Sequence, residues 1–270
     1  MKVAEGVLNA MTSWLSQDVH PPGTRLSDFG EMRKHLRMAD VILIEGRTRV
    51  AGVIQAVTLS SWTHAALYIG APADIVDPDV ADYLCGQLGF ARHEQLVLEA
   101  EIGEGVIISP LSRYSGEHLR LCRPSVLTAE DAQAVIGYAV ARVGVDYDVR
   151  HIFDLLRFFF PYGLLPRYWR SSLFEAGSSK IVSTICSTLL AEAFASVKYP
   201  ILPRVFPGGD GHPVFHERNS NLLTPRDFDY SPYFDIVKYP FYGEEVENYR
   251  ELDWDNAPAK TQSGAVPQQT

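Results

Sequence analysis

Between residues 129 and 143 the apolar side chains fall at Ala132, Val135, Ile136, Ala139, Val140 and Val143, the three-and-four spacing of one helical face. Thr128 and Asp131 stand as a capping pair at its start, so this spacing predicts a helix with one buried stripe. The same periodicity recurs in "KIVSTICSTLLAEAFASV", where Ile185, Leu189, Ala193 and Val197 form a stripe that Leu190 and Phe194 widen. That breadth predicts a largely buried helix. A third stripe, Val3, Val7, Met11, Trp14 and Leu15, predicts an amphipathic N-terminal helix, and "HPPGTRLSDFG" after it reads as a turn-rich linker.

Elsewhere the period changes from helical to two. "DVILIEG" is a buried strand candidate by its branched apolar content. In "HAALYIG" the side chains of His64, Ala66 and Tyr68 share one face of a strand, and Ala65, Leu67 and Ile69 the other. "VLEAE" and "GVIIS" flank a Gly-Glu-Gly turn and predict a hairpin, and "HLRLCRP" predicts a further strand carrying Cys122 near its end. "EMRKHLRMA" and "VAGVIQAVTLSSW" read as short helices or turns, residues 71–94 as irregular, and "TPRDFDYSPYFDIVKYP" as one last strand. Residues 151–174 are dense in aromatic and aliphatic side chains but broken by Pro and Arg, which excludes a membrane-spanning helix there. From Gly243 the chain is acidic and then rich in Pro, Gln and Ala, a disordered tail by composition.

Strands and helices in this mixture predict an α+β domain over residues 39–242, preceded by the N-terminal helix and linker (1–38), interrupted by the aromatic insert (about 151–175) and followed by the tail (243–270). With 270 residues and 46% apolar side chains there is material for one substantial core. A formal net charge of −9 argues against nucleic acid as a partner. The N-terminus lacks the marks of a secretory signal, and three widely spaced cysteines suit a reducing compartment, so a cytoplasmic location is expected. The N-terminal helix and the aromatic insert leave peripheral membrane contact open. His212 and His216 in "GHPVFH" are four apart but lie between Pro and Gly; a solvated loop is expected there, and no metal or other cofactor is called for.

The candidate chemistry begins with Cys186. Ser183 or Thr184 is a natural N-cap, which places Cys186 in the first turn of the following helix, where unpaired N–H groups and the helix dipole favour a thiolate. An imidazole would complete its activation as general base, and His64 opens an otherwise apolar strand. The strand "LVLEAE" offers Glu99 to fix the tautomer of His64 if the two strands pair, and Glu101 on the same face competes for that role. On residue types alone, these side chains are compatible both with a thiol hydrolase and with unrelated structural residues.

In this order, "ADVILIEG", "WTHAALYIG", "LVLEAEIGEGV", "GVDYD" and "ICSTLLAEAF" resemble the permuted papain-like cysteine hydrolases of the NlpC superfamily, of the YiiX, YaeF and YebB type. The resemblance spans roughly residues 39–237. It implies a circularly permuted papain-like fold, a small antiparallel sheet packed against the helix that carries the nucleophile, with His preceding Cys in the chain. It also implies catalytic roles for Cys186, His64 and Glu99. The family's Gly-x-Tyr-Asp motif is matched at Gly144, Tyr147 and Asp148 with one extra residue, which implies a substrate-side role for Tyr147 beside a packing one. Ser187, next to the nucleophile, and Phe159, in the aromatic insert, are further candidates for substrate contact.

The function implied is a cysteine amidase or peptidase that cleaves an amide or ester through an acyl-enzyme. Its substrate would be a small molecule, a peptide or a lipid-like compound. Two alternatives stay open: an acyltransferase or lipid hydrolase of the lecithin–retinol acyltransferase kind, which uses the same chemistry, and a non-catalytic binding module on the same fold. The oligomeric state is left undefined by the sequence.

Overall fold

The computed structural model describes residues 28–101, 104–145, 186–209 and 212–238. The N-terminal stripe, the Ser183/Thr184 cap, Tyr147, the aromatic insert with Phe159, and the acidic tail lie outside the described residues.

In chain order the elements are α1 (Phe29–His35), β1 (Val41–Glu45), α2 (Arg49–Thr58), β2 (His64–Gly70), α3 (Pro78–Asp82), β3 (Leu96–Glu101), β4 (Gly105–Pro110), β5 (His118–Pro124), α4 (Ala129–Val140), α5 (Cys186–Ser196), β6 (Arg204–Pro207), β7 (Pro213–His216), α6 (Pro225–Tyr230) and β8 (Phe234–Val237). Six strands form one sheet in the order β4-β3-β2-β1-β5-β8, and every neighbouring pair is antiparallel. The α+β class follows from this sheet and the helices packed on it.

Both faces of the sheet are covered, which explains the continuous apolar run of β1. Val41 and Leu43 face α4 and α5, where they meet Val135, Ile136, Leu189 and Phe194, while Ile42 and Ile44 pack on the opposite side with Met32 of α1, Leu111 and Tyr114. Ala132, Val135, Ile136, Ala139 and Val140 of the first predicted stripe are buried in α4, Leu189, Leu190, Ala193 and Phe194 of the second in α5, and the Thr128 hydroxyl accepts the Asp131 N–H at 3.0 Å as the cap of α4. Phe194 is fully buried and meets Phe228 and Phe234 edge-on or tilted, tying α5 to α6 and β8. Asp40, wholly buried before β1, accepts from the Arg123 guanidinium at 2.9 and 2.8 Å and so pins β1 to β5.

Three segments differ from the expectation. Residues 71–94 are not irregular throughout: Asp77 caps α3 by accepting the Asp79 N–H at 2.9 Å, Pro78 occupies its first position, and a π-type turn over Tyr83–Gln87 buries Leu84. Elements this short show no period for a sequence to reveal. Residues 224–237 hold a helix before the strand, because Thr224 and Asp227 form a capping box around Pro225. His216 lies not in a loop but in β7, an exposed strand paired antiparallel with β6, with Val205 opposite Phe215 and Phe206 opposite Val214.

Candidate active site

His64 is the first residue of β2 and Glu99 lies within β3, the strand paired to it antiparallel. The register sets Leu67 opposite Leu98. With alternation this puts Glu99 on the Val97 face, the face that His64 shares with Ala66 and Tyr68. His64 Nε2 donates to Glu99 Oε2 across 2.7 Å. Glu101 is turned elsewhere: Arg113 Nη2 donates to its Oε1 at 2.6 Å.

Cys186 is the first described residue of α5, which packs across β2 and β3 and brings the thiol to the start of β2. There the Sγ bonds the His64 imidazole and accepts the backbone N–H groups of Ala65 and Ser187. Since Nε2 of His64 is engaged by Glu99, Nδ1 is the nitrogen left for the sulfur. Behind β1 and β2, Thr63 Oγ1 accepts the Gly46 N–H at 2.9 Å and fixes the backbone just before His64.

Burial opposes charge on all three groups, and their mutual contacts overcome it. For Cys186 the positive charge and hydrogen bond of His64, with the two backbone N–H groups, hold the thiol below its ordinary value despite desolvation. For His64 desolvation is outweighed by the Cys186 sulfur and the Glu99 carboxylate, which push the ring up to about 10. Glu99 resists the upward push of burial through His64, the Tyr114 hydroxyl and the Arg113 charge, and falls to about 2. The state these contacts favour is a thiolate–imidazolium pair backed by an ionised carboxylate. Cys122 is different: burial and the Asp229 and Asp40 charges outweigh Arg120, and its thiol is pushed up to about 12.

Two residues at this site carried no sequence signal. Tyr114 and Arg113 sit on a single 3-10 turn, Leu111–Tyr114, between β4 and β5. The Tyr114 hydroxyl donates to Glu99 Oε2, the oxygen that also takes His64, and Arg113 Nη1 stands 3.6 Å from Glu99 Oε1. Ser187, a candidate for substrate contact, has its hydroxyl engaged inside the protein. Its side chain is fully buried and its hydroxyl donates to the Leu223 carbonyl at 2.5 Å, which ties α5 to the residues ahead of α6. Its backbone N–H, not its hydroxyl, points at the reactive sulfur.

A groove of about 820 Å³ between the outer half of α5, residues 198–203 and residues 215–220 touches none of His64, Glu99 and Cys186. Among the described residues no cluster of three or more His, Cys, Asp or Glu side chains is placed to hold a metal ion, and no helix is long and apolar enough to cross a membrane.

Compared with known families, residues 35–159 match the model described as the permuted papain-like amidase enzyme, YaeF/YiiX, C92 family. That stretch belongs to the permuted papain-like family. The matched stretch carries His64 and Glu99 and ends before Cys186. The family model describes a family of papain-like amidases. Among solved structures, the crystal structure of the metalloprotein YiiX from Escherichia coli O157:H7 is similar at 13% identity, over 76% of this chain and 98% of that one, with a TM-score of 0.43. No curated protein matches the chain.

Proposed function

We propose that this protein is a cysteine hydrolase that cleaves an amide or ester through an acyl-enzyme, with Cys186 as nucleophile, His64 as general acid and base, and Glu99 as the group that orients the ring. The observation that carries this reading is the line of Cys186, His64 and Glu99, in which the ring bonds Glu99 at 2.7 Å and interacts with the Cys186 sulfur, brought together by α5 and two paired strands. The thiolate attacks the carbonyl carbon and the carbonyl π pair moves onto oxygen. Backbone N–H groups at the start of α5, including that of Cys186, are candidate donors to that oxyanion. As the intermediate collapses, the imidazolium gives its proton to the departing amine or alkoxide and an S-acyl cysteine remains. His64 then takes a proton from water, hydroxide adds to the thioester, and the acid leaves as Cys186 regains its thiolate. An acyltransferase would differ only in the second step, where another nucleophile replaces water.

The test is acyl trapping by peptide mass mapping, with a p-nitrophenyl ester series and a panel of peptide amides. One acyl group should appear on the peptide that contains Cys186 and disappear in Cys186→Ala, with release to water and a flat dependence on acyl length. An acyl group found on another residue, or turnover intact in Cys186→Ala, overturns the nucleophile. A rate that climbs steeply with acyl length, near the about 0.8 kcal/mol that each buried methylene contributes, would replace the amidase by a lipid acyl enzyme.

A further inference from the structure

Glu99 is wholly buried, and the groups that face it come from four elements: His64 of β2, Cys186 of α5 behind that ring, Glu101 of β3 itself, and Arg113 with Tyr114 of the 3-10 turn. Its two oxygens are treated unequally. Oε2 takes both the His64 ring and the Tyr114 hydroxyl, whereas Oε1 is buried with no hydrogen-bond donor and has only the Arg113 charge at 3.6 Å. A carboxylate held by one donor can rotate and offer either oxygen; a second donor converging on the same oxygen removes that freedom.

Resting on the catalytic reading above, we infer that Tyr114 is a positioning residue of this site: its hydroxyl locks Glu99 so that one oxygen is presented to His64, while Arg113 holds Glu101 aside. The hydroxyl also takes up part of the negative charge on Oε2, which keeps Glu99 ionised in its buried place and keeps it from drawing the proton off the imidazolium. The phenol itself remains a donor, because burial and the adjacent Glu99 charge push its ionisation up, far from neutral pH. Arg113 contributes by geometry: bonded to Glu101 at 2.6 Å and to Ser109 Oγ at 3.3 Å, it spans the gap in which Glu101 would otherwise compete for the ring.

The experiment is the rate of Cys186 alkylation by iodoacetamide as a function of pH, which requires no knowledge of the substrate, in wild type, Tyr114→Phe and Tyr68→Phe. Tyr68 is the matched control, a buried tyrosine in the same apolar cluster whose hydroxyl meets Gln95 at 2.9 Å and not Glu99. Loss of the Tyr114 hydroxyl should move the acid limb of the profile up by about one pH unit and slow alkylation up to about tenfold at pH values on that limb, the size of one charge-assisted hydrogen bond. Tyr68→Phe should superpose on wild type, with thermal melts showing all three proteins folded. A Tyr114→Phe profile that coincides with wild type overturns the positioning role and leaves the nucleophile assignment standing. A wild-type Cys186 that alkylates no faster than the exposed Cys85 overturns the catalytic reading itself, and the role of Tyr114 with it.

Discussion

Replacing Glu99 by Gln removes a charge from the site and leaves its shape almost unchanged. The amide oxygen can occupy the position of Oε2 and accept from both His64 and Tyr114, so the ring keeps its tautomer. What is lost is the difference between a charge-assisted bond at 2.7 Å and a neutral one, about 1–1.5 kcal/mol, or roughly tenfold in the equilibrium constant that forms the thiolate–imidazolium pair. The amide NH₂ meanwhile falls where Oε1 was, buried and 3.6 Å from Arg113 Nη1, with no acceptor to receive it, and that should lower stability by about 1–3 kcal/mol. Single-turnover acylation by a p-nitrophenyl ester measures the first effect and urea denaturation the second. Glu101→Gln is the decisive comparison, since Glu101 is half-exposed and paired to Arg113, and its loss should change acylation by no more than about twofold. If Glu101→Gln proves the more damaging variant, or Glu99→Gln acylates at the wild-type rate, the role given to Glu99 is wrong.

Of the three cysteines, Cys186 should react first with a small alkylating agent near neutral pH, because Cys122 is buried with its thiol pushed up to about 12 and Cys85 is exposed on a turn; equal labelling by peptide mapping would remove the basis for the nucleophile. His64 is raised from 6.5 to about 10, so its pairing contributes stability that is complete below about pH 6.5 and is lost as pH rises through about 10. Urea midpoints should therefore fall across that window in wild type and change less in His64→Ala; an identical decline in both would assign the loss to other groups. Ser187→Ala should cost about 1 kcal/mol of stability through the lost bond to Leu223 and leave kcat unchanged, whereas a collapse of kcat would put the hydroxyl on the substrate after all.

Cys186, His64 and Glu99 were legible because each sits where a strong local pattern fixes the backbone: a broad apolar helix stripe, a strand with period two, and a hairpin around glycine. For Ser187, adjacency in sequence is not adjacency in space on a helix. At 3.6 residues per turn, the residue after Cys186 projects about 100° away, here into the contact with Leu223. Tyr114 and Arg113 were invisible for another reason, since a 3-10 turn of four residues has no period and nothing within "LSRY" specifies that it folds back over β3. The paired strands β6 and β7 escaped because both of their faces are exposed, so no alternation of apolar and polar positions marks them.

The site therefore depends on a register that the apolar core sets. Leu67 opposite Leu98 on the α5 side obliges Val97 and Glu99 to project from the other face, toward Tyr114 and the start of β2. A slip of one residue between β2 and β3 would present Leu98 or Ala100 to His64 and drive Glu99 under α5, among Leu189, Leu190 and Phe194. An unpaired carboxylate there would cost far more than the bonds it makes to His64 and Tyr114 in the observed register. The buried carboxylate thus acts as a lock on strand pairing as well as a partner for the ring. It follows that Glu99→Leu, which removes the penalty for the slipped register and leaves two donors unsatisfied in the native one, should harm both the order of β2 and β3 and acylation, where Glu99→Gln harms mainly acylation. Hydrogen exchange at the amides of residues 64–70 and 96–101 measures that difference. Equal protection in the two variants would show that the apolar side chains hold the register unaided.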